Sequence, residues 1–131
     1  MINTQQELNK ELSKIWDQYG AFFAFSSKQF KENMKEGIEY KNTGAGLICP
    51  VDNVQPMESA MESAINEFQA NDLKNTGREK LIWRELANYE SQITMDPRNA
   101  IEALESYGIT EKEVMKQWPA YMQYCRENDL F

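Results

Sequence analysis

At four candidate helix starts a threonine or serine stands three residues ahead of a glutamate or glutamine: Thr4/Glu7, Ser26/Gln29, Thr76/Glu79 and Thr110/Glu113. In such a capping box the hydroxyl accepts from one orphan amide at the helix start, and the longer side chain accepts from another. Apolar residues then recur at spacings of three and four, the signature of a helix with one buried stripe. The longest apolar run is only Ala21–Phe25, whereas a membrane-spanning helix needs about 20 such residues. The chain is therefore expected to fold as a set of amphipathic helices.

The periodicity predicts six helices, some short. The first covers Gln5 to Tyr19, with Leu8, Leu12, Ile15, Trp16 and Tyr19 on one stripe and Gly20 as its stop. A short one covers Lys28 to Lys35. A third spans Asn53 to Asn71, with Val54, Met57, Met61, Ala64, Ile65 and Phe68 inward and Pro56 tolerated in its first turn. Arg78 to Ile93 follows, with Ile82, Leu86, Tyr89 and Ile93 on its stripe. Asp96-Pro97 opens a helix to Tyr107, and Glu111 to Arg126 forms the last, in which Pro119 should produce a kink or a division. Between the first two helices Ala21–Phe25, aromatic and bounded by Gly20 and Ser26, reads as a buried strand. Ile38 to Pro50 reads as two further strands joined through Asn42-Thr43-Gly44-Ala45-Gly46, where glycine supplies positive φ. The expected fold is α+β: one mostly helical domain over residues 1–131, with six helices around a two- or three-stranded sheet. Its core should include Trp16, Phe23, Phe25, Ile48, Phe68, Leu86 and Leu104.

Charge narrows the function. The 131 residues carry 21 acids, 14 bases and no histidine, a formal net charge of −7. Phosphate recognition needs a basic footprint, and none is visible, so direct nucleic-acid binding is not expected. Residues 50–73 hold five acids and no base; residues 85–113 hold seven acids and two bases; between them lie Lys74, Arg78, Lys80 and Arg84. Acidic helices of this kind would offer an anionic surface to a basic partner protein. The residues assigned to that surface are Asp52, Glu58, Glu62, Glu67, Glu102 and Glu105.

Catalytic constellations are sparse. Without histidine the commonest general base and zinc ligand are missing, and neither metal nor cofactor is expected. Glu58 and Glu62 lie one helical turn apart, where like charges repel by a few tenths of a kcal/mol; a carboxylate-based, metal-dependent enzyme is the alternative they leave. Asn42–Gly46 lacks the lysine and spacing of a phosphate loop. Ala100–Val114 resembles a helix-turn-helix, yet its second helix would lead with Glu111 and Glu113, so a plain helical hairpin is the better reading. Cys49 and Cys125 suit free, buried thiols in a reducing, cytoplasmic compartment. Trp118, Tyr121 and Tyr124 could line a dimer face, making a structural, self-associating protein a further alternative.

Phe23-Ala24-Phe25-Ser26 with Gln29-Phe30, Gly44-Ala45-Gly46 with Ile48-Cys49-Pro50, and Arg84-Glu85-Leu86 through Tyr89-Glu90 resemble a small uncharacterised family encoded by phages and bacterial mobile elements. That family carries no assigned activity, so no functional residue transfers. The resemblance implies a context in which small acidic proteins inhibit host defence complexes, CRISPR nucleases included, some by occupying a nucleic-acid groove. A non-enzymatic inhibitor that presents acidic helices to a basic groove is accordingly the leading expectation.

Overall fold

A computed structural model describes all of residues 1–131. The fold is α+β and mostly helical, 66% of residues lying in helices. The order is α1 (Gln5–Gln18), β1 (Phe22–Phe23), α2 (Ser27–Asn33), β2 (Tyr40–Asn42), β3 (Leu47–Pro50), a 3-10 turn (Val51–Asn53), α3 (Val54–Thr76), α4 (Arg78–Asn88), α5 (Ser91–Thr94), α6 (Arg98–Glu105) and α7 (Glu111–Glu127). Residues 1–68 and 69–131 form two compact units, and no helix is long and apolar enough to cross a membrane.

The first unit holds the sheet, of order β1-β3-β2 and antiparallel throughout. Tyr40 pairs with Pro50 and Phe22 with Ile48. Its core gathers Leu8 and Ile15 of α1, Leu47 and Cys49 of β3, and Met57 and Ala64 of α3. The second unit is all helical. Its core joins Leu81, Ile82 and Leu86 of α4, Ala100 and Leu104 of α6, Ile109, and Val114, Tyr121, Met122 and Cys125 of α7.

One of the four capping boxes closes fully, and two more form as hydroxyl caps alone. Thr4 Oγ1 accepts from the Glu7 amide (3.0 Å), Ser26 Oγ from that of Gln29 (3.2 Å), and Thr110 with Glu113 closes the box in both directions. The fourth does not form. Thr76 ends α3, its hydroxyl donates to Asp72 Oδ1 (3.0 Å), and Gly77 at φ +88° starts α4 with no side-chain cap. Asp96 does act at the start of α6, accepting the Arg98 amide at 3.0 Å.

Other expectations give way. Ala21–Phe25 is not a buried strand: only Phe22–Phe23 pair with β3, Ala21 and Ala24 turn inward, and Phe23 and Phe25 are 42% and 73% exposed. The small side chains fit against the packed interior, while the rings lie on the outside, Phe23 edge-on to Trp16 at 5.0 Å and stacked on Phe25 at 6.2 Å. Trp16 and Phe68 are half-buried at the edge of their core. The helix expected to reach Ile93 stops at Asn88, because Glu90 adopts φ +49° and restarts the chain as α5; Tyr89 and Ile93 therefore face solvent. Pro119 does not divide α7. The carbonyl that proline deprives of a partner belongs to Met115, a residue 43% exposed, so the lost bond falls on the solvent side of the helix. Cys49 and Cys125 are free and buried.

Candidate functional site: an acidic groove between α6 and α7

The site rests on how the second unit uses its arginines. Asp72, near the end of α3, is 8% exposed. Arg84 of α4 reaches it with two parallel bonds, Nη1 to Oδ1 at 3.0 Å and Nη2 to Oδ2 at 2.8 Å, and the Tyr107 hydroxyl donates to Oδ2 at 2.7 Å. The Arg84 guanidinium holds the Asp72 carboxyl below its ordinary range despite burial. Burial, and the nearby Asp72 carboxylate, push the Tyr107 phenol up to about 12. Arg84 also pairs with Glu85 at 3.2 Å. Arg78 of α4 makes two bonds to Glu113 of α7, at 2.8 and 2.7 Å, and donates to the Gly108 carbonyl. That pairing lowers the Glu113 carboxyl to about 2.

Both arginines of the basic segment are thereby committed to Asp72, Glu85 and Glu113. Asp72 is thus structural and cannot belong to an anionic surface. Glu102, Glu105 and Glu111 remain without a hydrogen bond or ion pair through their carboxylates. The hairpin places them together. Gly108, at φ +75°, turns the chain after α6, and the Ile109 amide donates back to the Leu104 carbonyl at 3.3 Å. This is a helix-terminating glycine turn, which leaves no room for a longer loop. It sets Glu111, at the start of α7, beside the end of α6.

A cleft of about 450 Å³ results, bordered by Glu102, Glu105 and Glu111 over Ile101 and Ile109. A second, of about 420 Å³, shares Ile101, Glu102 and Glu111 and continues to Asp96, Arg98 and Met115. Together they make a groove with an apolar floor, four carboxylates and one arginine. Fixed negative charge above apolar surface suits a cationic side chain with an aliphatic stem, which buries the stem and pairs the head.

Of the six residues assigned from sequence to the anionic surface, Glu102 and Glu105 meet in this groove. Asp52, Glu58, Glu62 and Glu67 belong to the other unit. There Asp52 is exposed in the 3-10 turn, Glu58 borders a separate cavity, Glu62 lies a turn further along α3, and Glu67 accepts from the Ile2 amide at 2.7 Å. Glu111 enters the sequence reading only among the acids of residues 85–113 and at the head of α7, not among the surface residues; the signal for its present place is Gly108, which folds α7 back against α6.

The chemistry of the alternatives is thinly supplied. No three His, Cys, Asp or Glu side chains converge to hold a metal ion. Cys49 is fully buried, and burial, with Glu58 nearby, pushes its thiol up, away from the reactive thiolate. Tyr121 is buried and donates to Gln92 Oε1 at 2.6 Å, and Trp118 stacks on it, so of the three aromatics considered for a dimer face only Tyr124 is largely exposed.

No curated protein and no solved structure matches the chain. Residues 4–124 match a family of unknown function, DUF7659, which takes in both units, the groove included, and the chain belongs to that family.

Proposed function

We propose that the chain is a non-enzymatic binding protein whose α6–α7 groove takes a cationic segment of a partner protein. The observation that carries this reading is the placement of charge in the second unit: Arg78 and Arg84 are spent on Glu113, Asp72 and Glu85, and Asp96, Glu102, Glu105 and Glu111 ring an apolar floor with Arg98 as the one base among them. Unpaired like charges held together weaken a fold unless something cationic covers them, and an apolar floor gives a partner buried area as well as steering.

The resemblance noted above extends the proposal to a partner class. A protein encoded by a phage or mobile element that inhibits a host defence complex, in the manner of an anti-CRISPR protein, would dock such a groove on basic residues that otherwise hold nucleic acid. The test is affinity capture from a bacterial host lysate, followed by titration of the captured complex with its own nucleic acid. The proposal expects mutual exclusion: added nucleic acid releases the protein, and the protein releases nucleic acid. A partner that holds both at once, with neither affinity changed, contradicts it.

A further inference from the structure

The first unit carries a cavity that the groove does not use. It has a volume of about 500 Å³ and lies between the Thr43–Ala45 turn and the start of α3. Its walls are the rings of Trp16 and Phe23 and the side chains of Leu47, Met57 and Met61; its one charged group is Glu58. This is the size and make-up of a small-molecule site, an apolar pocket with few, fixed polar groups.

Two further features single it out. Glu58 is exposed and makes no hydrogen bond or ion pair, although Glu62 one turn away already opposes its charge. The turn that closes the other side is strained: Ala45 sits at φ +52° between Gly44 at +117° and Gly46 at +83°, a conformation costly for a residue with a Cβ. Such strain persists where the surroundings impose it, and it gathers at ligand sites. The turn is held by the Thr43 hydroxyl, which donates to the Leu47 carbonyl at 2.9 Å, and by the Asn42 side chain, which accepts from the Gly44 amide at 3.0 Å.

We propose that this cavity binds a small organic ammonium ion, with Glu58 supplying the counter-charge and Trp16 and Phe23 the aromatic walls. A quaternary or alkylated ammonium is weakly hydrated, is attracted to ring faces, and loses little on leaving water for an apolar pocket. Met57 and Met61 adapt their shape to methyl groups. An anionic ligand is excluded by Glu58, and a bare metal ion by the single carboxylate.

The probes are choline and its neutral isostere 3,3-dimethylbutan-1-ol, with benzyltrimethylammonium as a larger cation, each titrated into the full ¹⁵N-labelled protein. The reporter is the Trp16 indole N–H, which is buried and has no acceptor in the chain; Trp16→Phe assigns its resonance. The proposal expects at least one cation to shift that resonance and to bind about fivefold or more tighter than the isostere, a preference within the range of cation–π and charge pairing. Glu58→Gln should bring the cation down to the isostere's affinity, Phe23→Leu should weaken the cation alone, and Glu62→Gln should change neither. Equal binding of cation and isostere, equal loss in Glu62→Gln and Glu58→Gln, or no shift with either cation overturns it. Failure here leaves the α6–α7 groove untouched, because that site lies in the other unit.

Discussion

Replacing Asp72 by alanine should be the most damaging single charge deletion in the protein. The carboxylate accepts four hydrogen bonds: two from Arg84, one from Tyr107 and one from Thr76. Removing one partner of a buried ion pair costs about 3–5 kcal/mol when the other charge is stranded. Arg84 is not wholly stranded, since its side chain is 38% exposed and Glu85 stays within reach. That discount brings the expected loss to about 2–3 kcal/mol, including a share for the Tyr107 hydroxyl left without its acceptor. At a urea slope of about 1–3 kcal/mol/M the midpoint should fall by roughly 1–2 M. The assay is urea unfolding followed by tryptophan fluorescence in a Trp16→Phe background, which leaves Trp83 and Trp118, both in this unit, as reporters. Asp72→Asn should lose less, because an amide oxygen still accepts from Tyr107. A midpoint for Asp72→Ala within about 0.3 M of the parent would refute the keystone role, since an ordinary exposed acid costs no more than about 0.5 kcal/mol.

Acid should weaken the same unit by a defined route. Asp72 and Glu113 both have carboxyls lowered from ordinary values of 3.8 and 4.5, so each contributes stability that is fully present above those values and fades as pH falls through the lowered ones. Urea midpoints should therefore be flat from neutrality to about pH 5 and decline steeply below pH 4, with a shallower decline in Asp72→Asn; an identical decline in that variant would show that Asp72 contributes nothing to it. Thr110→Ala removes the hydroxyl of the complete capping box and should cost about 1 kcal/mol, read as a lower midpoint by circular dichroism, whereas Thr76→Ala should leave α4 unaffected as a cap. Ala45→Gly relieves a left-handed alanine and should stabilise the first unit by about 0.5–1 kcal/mol, while Gly46→Ala, whose Cβ would come within 2.3 Å of the Phe25 ring as placed, should destabilise it.

Much of the fold follows from local rules. The caps at Thr4, Ser26 and Thr110, the glycine turn between β2 and β3, and the α6–α7 hairpin depend on neighbours three to five residues apart, which a sequence displays directly. Several misreadings turn on contacts or packing that residue type alone does not display. Thr76 caps nothing because Asp72 takes its hydroxyl, and Asp72 is fixed by Arg84 and by Tyr107, 35 positions away. Phe23 and Phe25 looked like core by type, yet the interior beside them is filled, so alanines face it instead. The candidate site divides along the same line. Glu102 and Glu105 were found from charge density. That Glu58 and Glu62 belong to the other unit, and that Glu111 joins the groove, depends on the tertiary arrangement within each unit.

The central claim is that the groove, and not acidity in general, selects the partner. Isothermal titration of the captured partner into three forms of the protein tests it: the parent, the groove variant E102K/E105K/E111K, and the variant E58K/E62K, whose changes lie in the other unit. All three should keep the parent's circular dichroism, since these carboxylates are exposed and unpaired. The account predicts that the groove variant loses binding by about a hundredfold or more, as expected when charge pairs become repulsive contacts, while the other variant stays within about threefold of the parent. Equal losses in the two variants, or unchanged affinity in the groove variant, would contradict it.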